Sequence, residues 1–403
     1  MIFNDPVFFI AFLVPSVATF HLVRPAVKPW VIAGFGVAFF LYFSWVMFGS
    51  GWASLTVLIL LWECVTSRFY KKGSRFCLLG IWQAVVLLCI FKYLGFLARI
   101  WNDSTGWLSF PPLHGVPKLI LPLGLSFFTF EFIHYAADCY VGKIERSRVR
   151  EYAAFIFFFP TMVAGPIKRF QQFTTELAHA RFDPAFVSQG ITRIAVGLGK
   201  KHVLADTFDM WSTPLNTDAL YGSSRWVIVG RVVAYTWKMY FDFSGYSDIA
   251  IGSARLFGIG VPENFNFPYF ARNIGDFWRR WHISLMSWLE SYVFVPLLFS
   301  RFRLPGFEGR ANPRRLALAT VAVFVASGIW HGASYNFVIW GFYQGFLVAG
   351  YRYVKSLPRF ESRELPRPLG IALTYLSVAF GDILFAMDER HARFALARLF
   401  GIG

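Results

Sequence analysis

The chain has 403 residues, of which 56% are hydrophobic, 20% aromatic and 15% charged. A soluble domain carries about a quarter charged residues and fewer aromatics, so this composition excludes an ordinary soluble protein. The 39 Lys and Arg outnumber the 23 Asp and Glu for a net charge of +16. They fall in short gaps between apolar runs instead of on one aromatic-interleaved patch, which argues for a membrane protein and against a nucleic-acid binder.

From the N-terminus, the runs "FFIAFLVPSVATFHLV", "WVIAGFGVAFFLYFSWVMF" and "CLLGIWQAVVLLCIFKYLGFL" approach the roughly 20 residues that cross a bilayer. The first has only Asp5 ahead of it; lacking a basic leader region, it is expected to remain as a span. Further spans are expected near 30–48, 52–66, 77–98, 119–140, 152–165, 186–205, 226–243, 286–299, 316–331, 335–351 and 369–387, after a first one at 7–23. This is the pattern of an all-α polytopic integral membrane protein with about 11–12 transmembrane helices. No soluble domain, linker or repeat interrupts them, so one membrane domain over 1–403 is expected, with N-terminal spans over 1–118 and a short tail over 388–403.

The gaps "RPAVKP", "SRFYKKGSRF" and "VGKIERSRVRE" hold two, four and four basic residues, and 300–315 and 352–368 hold five each. Placing basic gaps in the cytoplasm puts the N-terminus outside and alternates without conflict to about residue 151. The tail holds three Arg, and its side is left open. Cys64, Cys77, Cys89 and Cys139 lie in or beside apolar runs without CxxC spacing; they read as packing residues, with no disulfide framework or metal site implied.

"FFFPTMVAGPIKRF", 157–170, carries Pro160, Gly165 and Pro166 and predicts a broken or re-entrant helix. "GLGKKHVLAD", 197–206, lacks the phosphate-loop spacing, and Lys200 and Lys201 are expected to mark a helix end at the cytoplasmic surface. In "YFDFSGYSDIAIGSARLFGI", 240–259, Asp242 and Asp248 stand among apolar residues beside Ser244, Tyr246 and Ser247. They are either a catalytic pair or buried hydrogen-bonding struts. The stretch does not fit the GxSxG elbow, which argues against a serine hydrolase. Residues 244–285 are too polar to span and too aromatic for an ordinary loop, so irregular backbone lining a cavity is expected there.

Read as a helix, "NIGDFWRRWHISLMSWLESYVFVP", 273–296, puts Trp278, Trp281 or His282, Leu285, Trp288 or Leu289 and Tyr292 on one stripe. Arg279, Arg280 and Glu290 project elsewhere, Asp276 is within pairing reach of both Arg, and Pro296 marks an end or kink. The competing reading is an interfacial amphipathic helix with Trp anchors and lipid-contacting Arg.

"SGIWHGASYNF", 327–337, interrupts one of the most apolar regions. Residues 316–351 give roughly 54 Å of helix, barely two crossings, so the turn belongs near the outer edge of the membrane. An ionisable group there is a functional candidate by default, against an imidazole tied between helices. Gly328 and Gly332 would let a backbone or substrate approach His331, and a neutral imidazole can accept a proton near physiological pH.

Together, "LPLGLSFFTFEFIHYAADCYVGK", "FFFPTMVAGPIKRFQQF", "YFDFSGYSDIAIGSARLFGI", "PENFNFPYFARNIGDFWRRWHISLMSWL" and "SGIWHGASYNFVIWGFYQG" resemble the membrane-bound O-acyltransferase (MBOAT) family in its bacterial polysaccharide-acylating branch. They occur in the family's order, over a core spanning 119–387. The resemblance implies a ring of tilted helices with funnels on the two faces, a donor arriving from the cytoplasm and an acceptor outside. It implies that His331 is the catalytic residue and His282 a second site residue. Around them, Trp330, Asn336, Trp278, Arg279, Arg280, Trp281, Ser284, Asn266, Tyr246 and Asp248 are the implied substrate-binding positions.

The implied chemistry is proton removal from a hydroxyl by His331 and attack on an acyl thioester, with His282, Trp330 or Asn336 holding the donor or the developing oxyanion. No bound cofactor is expected; the donor would be acetyl-CoA or an acyl-carrier-protein thioester. Expected partners are the lipid bilayer and an extracytoplasmic acceptor such as an SGNH-type acyltransferase, in the bacterial cytoplasmic (inner) membrane. Acetyl is the favoured acyl group, with D-alanyl transfer as in teichoic acid modification the alternative. Two departures stand out: Glu290 and Ser291 replace the Arg-Asp usual in relatives, and the chain ends sooner than alginate-type enzymes. A transporter would instead show inverted repeats with paired broken helices, and a scaffold would use His331 only for packing.

Overall fold

The computed structural model describes residues 5–105, 111–117, 119–145, 148–163, 165–299 and 313–402. The basic stretch 300–312, expected on the cytoplasmic side, lies outside the described residues. Among the described residues every regular element is a helix, with one isolated bridge between Phe265 and Trp281. Lys28–Phe48, Arg75–Thr105 and Arg367–Ala386 are long and apolar enough to cross a membrane, and Phe8–Leu22 and Ile283–Leu298 are shorter apolar helices. The expected all-helical membrane fold is borne out.

The described residues group into two compact units, Met1–Val196 with Tyr246–Pro262, and Gly197–Gly245 with Glu263–Gly403. The first has a phenylalanine core in which Phe8, Phe39, Phe40, Phe128 and Phe157 are buried. The expected span at 152–165 is broken, as its prolines require. The helix Val149–Ile156 stops, one turn follows at Phe159–Met162, and the next helix begins at Phe170. Buried side chains satisfy the interrupted segment: the Phe170 N–H donates to His134 Nε2 at 2.8 Å, and Lys168 Nζ pairs with Glu131. Irregular backbone away from water persists only with such partners.

In the second unit, Pro313–His331 and Tyr335–Ser356 form a tight helical hairpin. Its closeness depends on small residues. A side chain at Gly341 would meet the Phe324 carbonyl at 2.7 Å, and one at Gly328 would collide with the Phe337 carbonyl. Gly332 is likewise filled by the Phe337 ring, so of the two expected neighbours, backbone or substrate, it is the partner helix that these glycines admit. The helix Arg367–Ala386 runs antiparallel to Tyr335–Ser356: Asn336 donates to the Met387 carbonyl at 2.9 Å, and Tyr343 to the Ser377 carbonyl at 2.8 Å.

Three expectations are corrected. Residues 244–256 are not irregular but complete the helix Arg225–Leu256. Its acids are paired where they stand, Asp242 with Lys201 at 2.8 Å and Asp248 with Arg193 at 2.6 Å, so the helix need not break to hydrate them. Those pairs also select the structural reading of Asp242 and Asp248. Lys200 and Lys201 do not end a helix. They open a π-helical turn, Lys200–Ala205, between the helices Pro184–Gly199 and Asp206–Ser212. Finally, 273–296 is not one amphipathic helix, because Ile274–Trp278 and Ile283–Leu289 are separated by a left-handed corner at His282. Pairing with a distant segment overrides the local periodicity there.

Candidate active site

His331 is the last residue of its helix, facing the carbonyl end that favours a positive charge. Its imidazole is held among aromatic rings, with centroids 4.8 Å from Trp330, 5.6 Å from Trp340 and 5.0 Å from Phe385. It is half-buried and lines a cavity of about 50 Å³ with Phe243, Trp278, Trp281, Gln344 and Asp382 among the other walls. An imidazole sealed in packed side chains could not do chemistry; this one borders a partly open cavity.

His282 is built differently. Its backbone has φ +45°, a conformation costing a non-glycine residue roughly 1–2 kcal/mol. A β-like pairing holds it there: the Asn266 N–H donates to the Arg280 carbonyl and the Ile283 N–H to the Asn264 carbonyl, each at 3.0 Å. Asn264 Oδ1 also accepts the Ser284 hydroxyl at 2.6 Å. The imidazole is 2% exposed, lies edge-on to Phe243 with centroids 4.7 Å apart, and has no hydrogen-bond partner on either nitrogen. A strained backbone that delivers a buried, unpartnered imidazole fits a functional position better than a packing one.

The other expected site residues divide into groups. Trp330, Trp278 and Trp281 gather with the two histidines: the Trp330 ring is 6.3 Å from His282, and Trp278 and Trp281 line the His331 cavity. Trp278 also borders a second cavity of about 520 Å³, with Arg279, Ser287, Glu290, Tyr351 and Arg352. Arg279 and Arg280 both pair with Asp276, at 3.3 and 3.1 Å, as the spacing predicts. Ser284 and Asn266 support the His282 corner. Asn336 is committed to the Met387 carbonyl, and Asp248 to Arg193 within the first unit, where Tyr246 is also buried.

Sequence reasoning missed Asp382, Gln344, Trp340 and Phe385, all of which line the His331 cavity. Asp382 carried a usable signal, a lone acid in the last apolar run, which the rule for intramembrane ionisable groups would have flagged. Gln344 falls four residues after Trp340, on the same helix face.

Comparison with known proteins identifies the family. The family model described as "MBOAT, membrane-bound O-acyltransferase family" matches residues 37–367. A probable alginate O-acetylase AlgI of Pseudomonas putida is 30% identical over 100% of this chain and 80% of its own length. A peptidoglycan O-acetyltransferase of Helicobacter pylori is 30% identical, covering 96% of this chain and 77% of its own. A teichoic acid D-alanyltransferase of Bacillus subtilis is 28% identical, covering 83% and 85%.

Proposed function

The chain belongs to the membrane-bound O-acyltransferase family, and from that premise we propose that it moves an acetyl group from a cytoplasmic thioester to an extracytoplasmic hydroxyl through His331. Family membership makes it an acyltransferase acting in cell-surface polymer modification, and so decides against the transporter and the scaffold. The observation that carries the His331 assignment is the cavity itself: an accessible imidazole beside a buried, unpartnered one across the Trp330 indole.

In this reading His331 accepts the proton of the acceptor hydroxyl as its oxygen forms a bond to the acyl carbonyl carbon. The C–S bond then breaks, and the thiolate leaves with the proton returned by the imidazolium. Base catalysis of this kind contributes about 10²–10⁴-fold. His282 or an indole N–H is the donor for the developing oxyanion, since the Trp278 and Trp340 Nε1 atoms are buried without partners. The second cavity, with Arg279 and Arg352 at its wall, is suited to the phosphates of CoA or of a carrier's phosphopantetheine. Acetyl is favoured because O-acetylases match the chain over nearly its whole length. The site of action in this reading is the bacterial inner membrane, with an SGNH-type protein as acceptor.

Purified protein offered radiolabelled acetyl-CoA or acyl-loaded carrier, with an extracytoplasmic acceptor, tests the reading. His331→Ala should keep its circular dichroism and melting temperature and lose transfer. Transfer at the wild-type rate by that variant sinks the mechanism.

A further inference from the structure

We propose that the indole of Trp278 is the barrier that keeps the two cavities of the second unit from joining into one water-filled path. The large cavity and the His331 cavity are both partly open, and among the described residues Trp278 alone lines both. They follow one another along the hairpin. The large cavity takes Thr320 and Phe324 from the helix Pro313–His331 and Val348 and Arg352 from the helix Tyr335–Ser356, whereas the His331 cavity takes His331 and Trp340, nearer the turn. Arg352 lies twelve residues after Trp340, about 18 Å of helix, against a hydrocarbon core about 30 Å thick. Two open spaces in series over such a span would conduct water and protons without a closure between them.

The ring is placed to be that closure. It is 8% exposed and packs against Phe324 of the large cavity and Trp340 of the His331 cavity, with centroids 4.9 and 5.9 Å away. Both of those rings are buried as well. An apolar constriction of this kind blocks conduction by shedding water. Polar groups stand on either side of it, Ser287, Glu290 and Arg352 in the large cavity and Gln344, His331 and Asp382 in the other, so each cavity suits water and only the aromatic layer excludes it.

The main chain beneath the ring is fixed. Asn273 Oδ1 accepts the Asp276 N–H at 2.8 Å, and the Asn266 N–H donates to the Arg280 carbonyl at 3.0 Å. The Tyr351 ring closes on Gly275, where a Cβ would stand 3.2 Å from it. The indole is held differently. A buried indole N–H ordinarily finds an acceptor, yet Trp278 Nε1 is buried without one. Packing alone keeps the ring across the gap, so it can turn aside without breaking a hydrogen bond. In the acyl-transfer reading this is where the thioester passes; the barrier itself does not depend on that reading.

The test uses the full-length protein in vesicles of phosphatidylethanolamine and phosphatidylglycerol loaded with a pH-sensitive dye. After an external acid step, vesicles holding the wild type should acidify no faster than protein-free ones. Trp278→Ala should raise the rate at least about tenfold, the change that a barrier lower by about 1.4 kcal/mol gives. Trp278→Phe, which keeps a ring, should stay close to the wild type, as should Trp226→Ala, a loss at a side chain 74% exposed. A leaking wild type, or a Trp278→Ala as tight as the wild type, overturns the proposal. A loosened fold also leaks, so Trp278→Cys is measured before and after N-phenylmaleimide, which adds a ring to the thiol. The wild type with its four cysteines is treated in parallel and should not change. Recovery of the seal in Trp278→Cys supports a barrier at this position. A leak that persists in fully labelled protein, or a thiol that the reagent does not reach, ends the proposal. No thioester enters these measurements, so wild-type transfer by His331→Ala would sink the acyl-transfer mechanism and leave the barrier standing.

Discussion

The indole of Trp330 stands 4.8 Å from the imidazole of His331, ring to ring, at an interplanar angle of 62°. The same indole lies 6.3 Å from His282, so it is a contact that the two histidines share. Trp330→Ala should lower acyl transfer at least about tenfold, through lost positioning, while Trp330→Phe retains most of it. Transfer rates of the single and double variants with His282→Ala should show coupling of about 0.5–3 kcal/mol; additive losses would mean the indole does not connect the two.

His282→Ala removes a candidate donor in a water-poor site. A drop of roughly 10²–10³-fold in kcat is expected if it faces the developing negative charge. His282→Asn, which tolerates the left-handed backbone and keeps a donor, should recover part of the loss. An equal deficit in both variants, with unchanged melting temperature, would rule out the donor role.

The hairpin that presents His331 has no slack at its glycines. Gly328→Ala places a methyl group against the Phe337 carbonyl and should destabilise by about 1–3 kcal/mol. A thermal melt in detergent reads this directly. Gly350→Ala, on the same hairpin with open space around it, is the control and should be neutral or slightly stabilising.

Lys168 and Glu131 form a buried ion pair with side chains 2% and 5% exposed. Lys168→Met leaves a carboxylate uncompensated and should cost about 3–5 kcal/mol. Adding Glu131→Gln removes the stranded charge and should restore a good part of that loss. A double variant no better than the single would place the cost in packing, not charge.

Asp388 caps the last helix, its carboxylate accepting the His391 N–H at 2.9 Å. That backbone hydrogen bond, with the His391 side chain adding to it, holds the carboxyl below its usual range. The sign follows: the cap's contribution is full above the unfolded value of about 3.9 and fades as pH falls through the lower folded one. Asp388→Ala should lose about 1 kcal/mol at neutral pH, and the difference from wild type should shrink in acid.

Composition and hydropathy revealed the helical membrane fold, and the glycine-flanked histidine of "SGIWHGASYNF" marked the site, because intramembrane ionisable groups are rare enough to stand out. The corner at His282 was not readable. Its tryptophan spacing suits a continuous helix, and what breaks that helix is Asn264, far enough away in sequence to leave no local periodicity. The acids of "YFDFSGYSD" looked like a reason for the backbone to unwind, yet Arg193 on the helix Pro184–Gly199 and Lys201 in the turn after it pair with them. Asp382 went unremarked because one acid in a long apolar run barely changes its hydropathy, and only the packing of Arg367–Ala386 against the hairpin brings it to His331.

The Asn336 bond to the Met387 carbonyl has a consequence for sequence change in this region. Asn336 lies five residues after His331 and Met387 five after Asp382, so one bond indexes the turn that follows His331 against the end of the neighbouring helix. Inserting a single residue between Asp382 and Met387, with that anchor kept, would swing the carboxylate ~100° around the helix axis and away from the imidazole's chamber. This short interval should therefore accept substitutions far more readily than any change of length.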